Sequence, residues 1–282
     1  MPTFGYWEST SLEIAWDVVD YVSMHAYYEE LDDDRRSFLA SGFGMSEFID
    51  DVASTIDAVA ARKHSRNRPK ISFDEWNVWY QARFPGTENL EIDTSGPRIE
   101  DVYGSLDAVV VGDLLITLLN HADRVAVACL AQLVNVIAPI MTEPNGNAWR
   151  QAIFAPIATV AGSARGVGLI PQIRTPEVET TQYGDVPAVA AAATYDAQGR
   201  SASVFLTNRA EHPVDAVLEL RGETAWTAID SATVIIADDK CPLDAAAARH
   251  VRQPLSDARL DGSTITVALP AESWAAVLIS AR

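Results

Sequence analysis

Residues 71–80 read ISFDEWNVWY, and the rest of the chain is organised around this stretch. Pro69 ends the helix-like pattern before it, so KISFDEW, residues 70–76, reads as a strand. The strand ends in two carboxylates, Asp74 and Glu75, and the aromatics Trp76, Trp79 and Tyr80 follow at once. Upstream, MSEFIDDVASTIDAVAARKHSR (45–66) has Phe48, Val52, Ile56, Val59 and Ala60 at helical spacing. Ser46 is its expected N-cap, and the basic tail suits the negative end of the helix dipole. VVDYVSMHAY (18–27) begins as a buried strand and turns polar and aromatic at its end.

Downstream, PGTENLEIDTSGPRIED (85–101) is rich in turn formers and acids and reads as an exposed loop. SLDAVVVGDLLITLLNHAD (105–123) predicts a strongly apolar helix. RVAVACLAQLV (124–134) is a continuous apolar strand of the kind buried on both faces. NAWRQAIFAPIATVAG (147–162) predicts a further helix with a break near Pro156. Strand and helix thus alternate three times, which predicts parallel βα units. After about residue 162 the pattern changes to short strand-like runs between turn signals: AVAAAATY, SASVFLTN, VDAVLELRG, ATVIIAD, STITVAL and SWAAVLIS. Asp261-Gly262 is a turn dipeptide and DAQGR (196–200) a hairpin loop; only LDAAAARH has some helical character. An antiparallel β-sandwich is expected over 162–282, and an α/β domain over 1–161.

Bulk properties exclude several classes. The chain has 282 residues, 48% of them apolar, enough for a sizeable core. A net charge of −18 argues against nucleic acid, whose phosphates need clustered Lys and Arg. The two cysteines offer no disulfide framework, and Cys129, inside an apolar run, is expected to be a buried small hydrophobe. No stretch is apolar and long enough to span a membrane, and MPTFGYWEST lacks the marks of a leader, so a cytoplasmic protein is expected. The histidines show no metal-ligand spacing, and phosphate-loop and nucleophile-elbow motifs are absent.

Parallel βα units gather their sites at the carboxyl ends of the strands. There the sequence offers His25, Tyr27 and Tyr28, then Asp74, Glu75, Trp76 and Trp79, then Gln132 and Asn135. Carboxylate, imidazole, phenol, indole and amide together suit a sugar site. Each also has a plainer reading. Glu75 is a catalytic carboxylate or a solvated acid; His25 a site residue or a structural histidine; the aromatics ligand contacts or packing. Gln132 stands in an apolar strand, where a buried amide needs hydrogen-bond partners.

Three segments, DYVSMHAYY, ISFDEWNVWY and HADRVAVACLAQLVNVIAPIMTEPNGNAWRQ, resemble the α-L-arabinofuranosidases of glycoside hydrolase family 51, in the family's order and with similar intervals. The resemblance implies an eight-stranded βα barrel joined to a β-sandwich. It further implies a retaining hydrolase that removes terminal L-arabinofuranosyl residues from arabinan and arabinoxylan oligosaccharides without a cofactor. Glu75 then matches the nucleophile, His25 and Tyr27 site residues of the preceding strand, Gln132 the amide of the last strand, and Trp79 an aromatic near the sugar.

The chain departs from the family in one large respect. The family's acid/base is a Glu following Asn, and this sequence contains no Asn-Glu dipeptide. A complete barrel takes about 250 residues, whereas only three strand–helix units precede the β-rich region. The expected architecture is therefore a partial (β/α)8 barrel, its last three units, followed by the sandwich: the C-terminal part of such an enzyme. Such a part-barrel leaves an open sheet edge, which predicts a homo-oligomer or a complementary N-terminal barrel piece as partner. The alternative is a sugar-binding or interaction module that keeps the same contacts without turnover.

Overall fold

The computed structural model describes residues 5–81, 99–238 and 251–281. Most of the loop expected over 85–101, the segment LDAAAARH (243–250) and Cys241 lie outside the described residues. The chain opens with α1 (Tyr6–Ala15), which the sequence reading did not anticipate, then β1 (Tyr21–Tyr28), α2 (Arg35–Leu39), α3 (Ser41–Arg62), β2 (Lys70–Val78), α4 (Ser105–Asn120) and β3 (Val125–Leu130). A hairpin of β4 (Ile140–Thr142) and β5 (Ala148–Arg150) leads to α5 (Phe154–Ser163). The β-rich region follows: β6 (Val167–Leu169), β7 (Glu177–Thr180), β8 (Gly184–Pro187), β9 (Val189–Asp196), β10 (Ser201–Asn208), β11 (Val214–Glu219) and β12 (Ala228–Ile236). It closes with β13 (Arg252–Pro254), β14 (Arg259–Asp261), β15 (Thr264–Leu269) and β16 (Ser273–Ser280).

β1, β2 and β3 form one three-stranded parallel sheet in that order, with α3 and α4 packed on one face. The helical spacing of residues 45–60 has the expected consequence. Met45, Ile49, Val52, Ile56 and Val59 are all buried, each contributing about 1.5–3 kcal/mol of hydrophobic stabilisation. Phe48, at the rim of this stripe, meets the ring of Phe73 edge-on at 6.1 Å. Ser46 does not cap the helix. α3 begins at Ser41 because the short α2, capped by Asp34 Oδ1 accepting from Ser37 N, runs almost directly into it. The Ser46 hydroxyl lies instead 2.8 Å from His121 Nε2.

The segment 147–162 also differs from the expectation. Its first residues form β5, and the helix begins only at Phe154, so Pro156 falls in the first turn. There its missing N–H has no helical partner to lose, and no break results. β3 is not buried on both faces. It is the last strand of its sheet, with most of its residues exposed, and Cys129 is exposed with them. A continuous apolar run predicts a covered strand only when neighbours exist to cover it.

The β-rich region is built from a six-stranded antiparallel sheet, β13-β12-β16-β10-β9-β6, facing a three-stranded one, β11-β15-β14. Ile265, Val267 and Leu269 of the smaller sheet pack with Val204, Leu206, Val277 and Ile279 of the larger. Gly262, at φ +58°, makes the turn between β14 and β15 that the Asp-Gly dipeptide predicted.

α4 explains its own composition. It is apolar on all sides because it lies between the three-stranded sheet and the six-stranded one. A single core joins Phe73 and Val109 to Phe205 and Trp274. A Cβ on Gly112 would stand 2.4 Å from Trp274 Cδ1, so glycine allows helix and strand to approach. Nearby, buried Arg209 and Asp113 form an ion pair of 2.8 Å, and Asp113 also accepts from Gly42 N at 3.1 Å. No helix among the described residues is long and apolar enough to cross a membrane.

Candidate active site

β2 contains an irregularity that shapes the site. Its register against β1 runs Ser23↔Ser72 and then His25↔Glu75, one residue more on β2 than on β1. Against β3 it runs Phe73↔Ala128 and then Trp76↔Leu130, with the same surplus. The bulge shows in burial as well. Ile71 and Phe73 are core residues at odd positions, Trp76 and Val78 at even ones. Consecutive strand residues normally face opposite ways. Here the phase changes between 73 and 76, and both Asp74 and Glu75 lie beside His25, away from the helices.

The resulting cluster is compact. His25 Nδ1 lies 3.6 Å from Glu75 Oε2, and His25 Nε2 lies 3.8 Å from Asp74 Oδ1. Asp74 Oδ1 also accepts from the Ser23 hydroxyl at 2.8 Å. The Tyr27 hydroxyl donates to Glu75 Oε1 in a short hydrogen bond. Trp79 meets the Tyr27 ring edge-on, with centroids 4.9 Å apart. Partial burial, and next the hydrogen bond to Glu75, raise the Tyr27 pKa well above the usual phenol value, so Tyr27 remains a donor across the neutral range. The side chains of His25 and Glu75 are 51% and 41% exposed, so this cluster is open to solvent.

Of the residues expected at the site, the fold brings His25, Tyr27, Glu75 and Trp79 together. Gln132 follows the carboxyl end of β3, the strand beside β2, where Ala131 N donates to Trp76 O at 3.1 Å. Its side chain is exposed, so the expectation of a buried amide fails at this position. On the neighbouring β2 the amide of Asn77 is fully enclosed and bonds to backbone. Its signal was present in the sequence as a polar residue between the apolar Trp76 and Val78. Trp76 is a core residue at 2% exposure, and Asn135 bonds to Thr142 at the turn end of β4, donating to its hydroxyl and accepting from its N–H.

A family model described as the alpha-L-arabinofuranosidase C-terminal domain matches residues 74–273. Over 97% of its length the chain is 43% identical to an intracellular exo-alpha-(1->5)-L-arabinofuranosidase of Streptomyces lividans, and the match spans 42% of that protein. An exo-alpha-(1->6)-L-arabinofuranosidase of Bifidobacterium longum is 45% identical over 98% of the chain and 55% of its own length. The solved structure of a family 51 alpha-L-arabinofuranosidase from Bifidobacterium longum superposes with a TM-score of 0.89 at 40% identity, covering 99% of this chain and 56% of that one. The chain spans about half the length of the relatives it matches.

Proposed function

The chain belongs to the α-L-arabinofuranosidases of glycoside hydrolase family 51, and on that premise we propose that it carries the nucleophile half of a retaining arabinofuranosidase site. Residues 1–161 are then the last three units of a (β/α)8 barrel and 162–282 its β-sandwich. The substrate is a terminal L-arabinofuranosyl residue of an arabinan or arabinoxylan oligosaccharide. The observation that carries the reading is the bulge that sets Glu75 against Tyr27 and His25 at the carboxyl end of a parallel strand.

In this reading Glu75 attacks the anomeric carbon. The bond to the leaving oxygen breaks as the Glu75 ester forms, and water later cleaves that ester with net retention. The Tyr27 hydrogen bond to Oε1 fixes the rotation of the carboxylate and leaves Oε2 as the attacking oxygen. Trp79 offers an indole face for sugar C–H groups, and His25 and Gln132 offer polar atoms for its hydroxyls. A second carboxyl group, about 5–5.5 Å from the first, must protonate the leaving oxygen and then take the proton of water. That group comes from a complementary barrel piece, which pairs with the open edges of β1 and β3 and restores full turnover.

A dinitrophenyl α-L-arabinofuranoside tests this directly, because so good a leaving group needs little acid assistance. Intact mass spectrometry of the purified chain is expected to show a one-sugar adduct, mapped to Glu75 and missing in Glu75→Gln. Sugar binding with no adduct would instead support a non-catalytic binding module. Steady turnover of the wild-type chain without an adduct would mean that an acid/base is already present.

A further inference from the structure

Asn77 is fully buried between two core residues, Trp76 and Val78, where an aliphatic side chain of similar size would pack without needing partners. Both N–H groups of its amide are committed to backbone. Nδ2 donates to Ala131 O at 2.7 Å and to Ile137 O at 2.5 Å, while Oδ1 accepts from Val78 N at 2.8 Å. Ala131 and Ile137 bracket the segment that begins with Gln132, and Gln132 N itself donates to Ile137 O at 3.2 Å. One amide therefore closes the neck of this loop. Gln151 holds the next stretch in a similar way, its Nε2 donating to Ala138 O at 2.7 Å and its N to Pro139 O at 2.8 Å.

We infer that Asn77 is a positioning residue, which ties the neck of the 131–137 loop to the strand carrying Glu75 and so sets where Gln132 stands relative to that carboxylate. Loops beyond a strand end are ordinarily free to shift. This one is held to β2 two residues from the proposed nucleophile, so a displacement of β2 carries Glu75 and Gln132 together. The functional part of the inference rests on the sugar-site reading of those two residues; the structural part rests on the backbone bonds alone.

Hydrogen–deuterium exchange on the full chain separates the two. Asn77→Asp keeps the acceptor to Val78 N but cannot make both donations, and Asn77→Ala removes all three bonds. In each variant, exchange across residues 132–137 is expected to quicken at least about tenfold, while the β1–β2 ladder keeps its protection. Unchanged exchange in the loop overturns the inference. A loss spread over the whole sheet overturns it too, because Asn77 would then hold the fold and not the loop. In the adduct assay, Asn77→Ala is expected to weaken half-saturation by the dinitrophenyl arabinofuranoside as much as Gln132→Ala does, with the double variant no weaker than Gln132→Ala alone. Additive losses would show that Asn77 acts independently of Gln132 and would overturn it. If the wild-type chain forms no adduct, the functional reading fails, and exchange alone decides the positioning role.

Discussion

The Tyr27 hydroxyl donates to Glu75 Oε1 across a diagonal of the β1–β2 ladder, in which Glu75 is paired with His25. This contact needs the bulge in β2, because with regular alternation Glu75 would share the helix-facing side with Phe73. Removing the phenol tests its role without disturbing the sheet. Tyr27→Phe keeps the ring against Trp79 and deletes one hydrogen bond to a charged group, which contributes about 1.5–3 kcal/mol. The rate of Glu75 adduct formation is therefore expected to fall roughly tenfold to a hundredfold, with the circular dichroism spectrum unchanged. An unaltered rate would mean that the carboxylate is oriented by other groups.

Alkaline stability follows from the tyrosines. Burial raises the pKa of Tyr27, Tyr28 and Tyr103, and pushes Tyr183 up to about 12. Above about pH 10 the unfolded chain releases these protons while the folded chain keeps them. The folded state then binds more protons than the unfolded one, so stability falls as pH rises. The contribution is complete below about pH 10 and is lost progressively above it. Urea midpoints between pH 9 and pH 12 should decline, and the part of the tyrosinate absorbance that belongs to these four phenols should appear only with unfolding. A flat midpoint over that range would contradict the burial of these phenols.

Asp113 and Arg209 join α4 to the residue that follows β10, with both side chains enclosed. Arg209→Ala would leave the Asp113 carboxylate buried with Gly42 N as its remaining backbone partner, an outcome that costs about 3–5 kcal/mol. Replacing both residues by apolar ones of similar volume, as in Asp113→Leu with Arg209→Met, is expected to cost much less. Denaturant midpoints of the single and double variants measure the difference. Equal losses in the two would show that the charge pairing is not the source of the effect.

At Gly112, α4 lies directly against Trp274 of β16. With Trp274 Cδ1 at 2.4 Å and Cγ at 2.5 Å from an added Cβ, Gly112→Ala must displace a fully buried indole. The helix itself favours alanine by about 1 kcal/mol. Overpacking typically costs about 1–3 kcal/mol, so the net effect is expected to be destabilising despite the better helix former. A raised melting temperature would refute the close packing of this contact.

Among the described residues, β1 and β3 each pair only with β2, and large apolar side chains stand exposed: Trp7 and Ile14 on α1, Val127 on β3, Leu133 beyond it. Exposed edges and apolar patches promote association. The purified chain is expected to sediment as concentration-dependent oligomers, and Trp7→Lys with Leu133→Lys to shift the distribution towards monomer. If the double variant sediments like the wild type, association uses another surface.

Much of the architecture was legible without coordinates. Alternating strand and helix patterns marked the parallel units, and SASVFLTN and SWAAVLIS coincide with β10 and β16. These are local properties, set by side-chain period and turn chemistry within a few residues. The motif resemblance singled out His25, Tyr27, Glu75, Trp79 and Gln132, and the first four meet in space. What the tertiary structure decided is burial and facing, which depend on neighbours distant in sequence. The run around Cys129 reads as a covered strand, yet among the described residues no further strand lies beside it and it forms an open edge. Of two amides at the carboxyl ends of adjacent strands, one within β2 and one just beyond β3, Asn77 became the enclosed one and Gln132 the exposed one. A single extra residue in β2 turned Asp74 and Glu75 to the same side, a consequence of pairing with two neighbouring strands at once that no local period fixes.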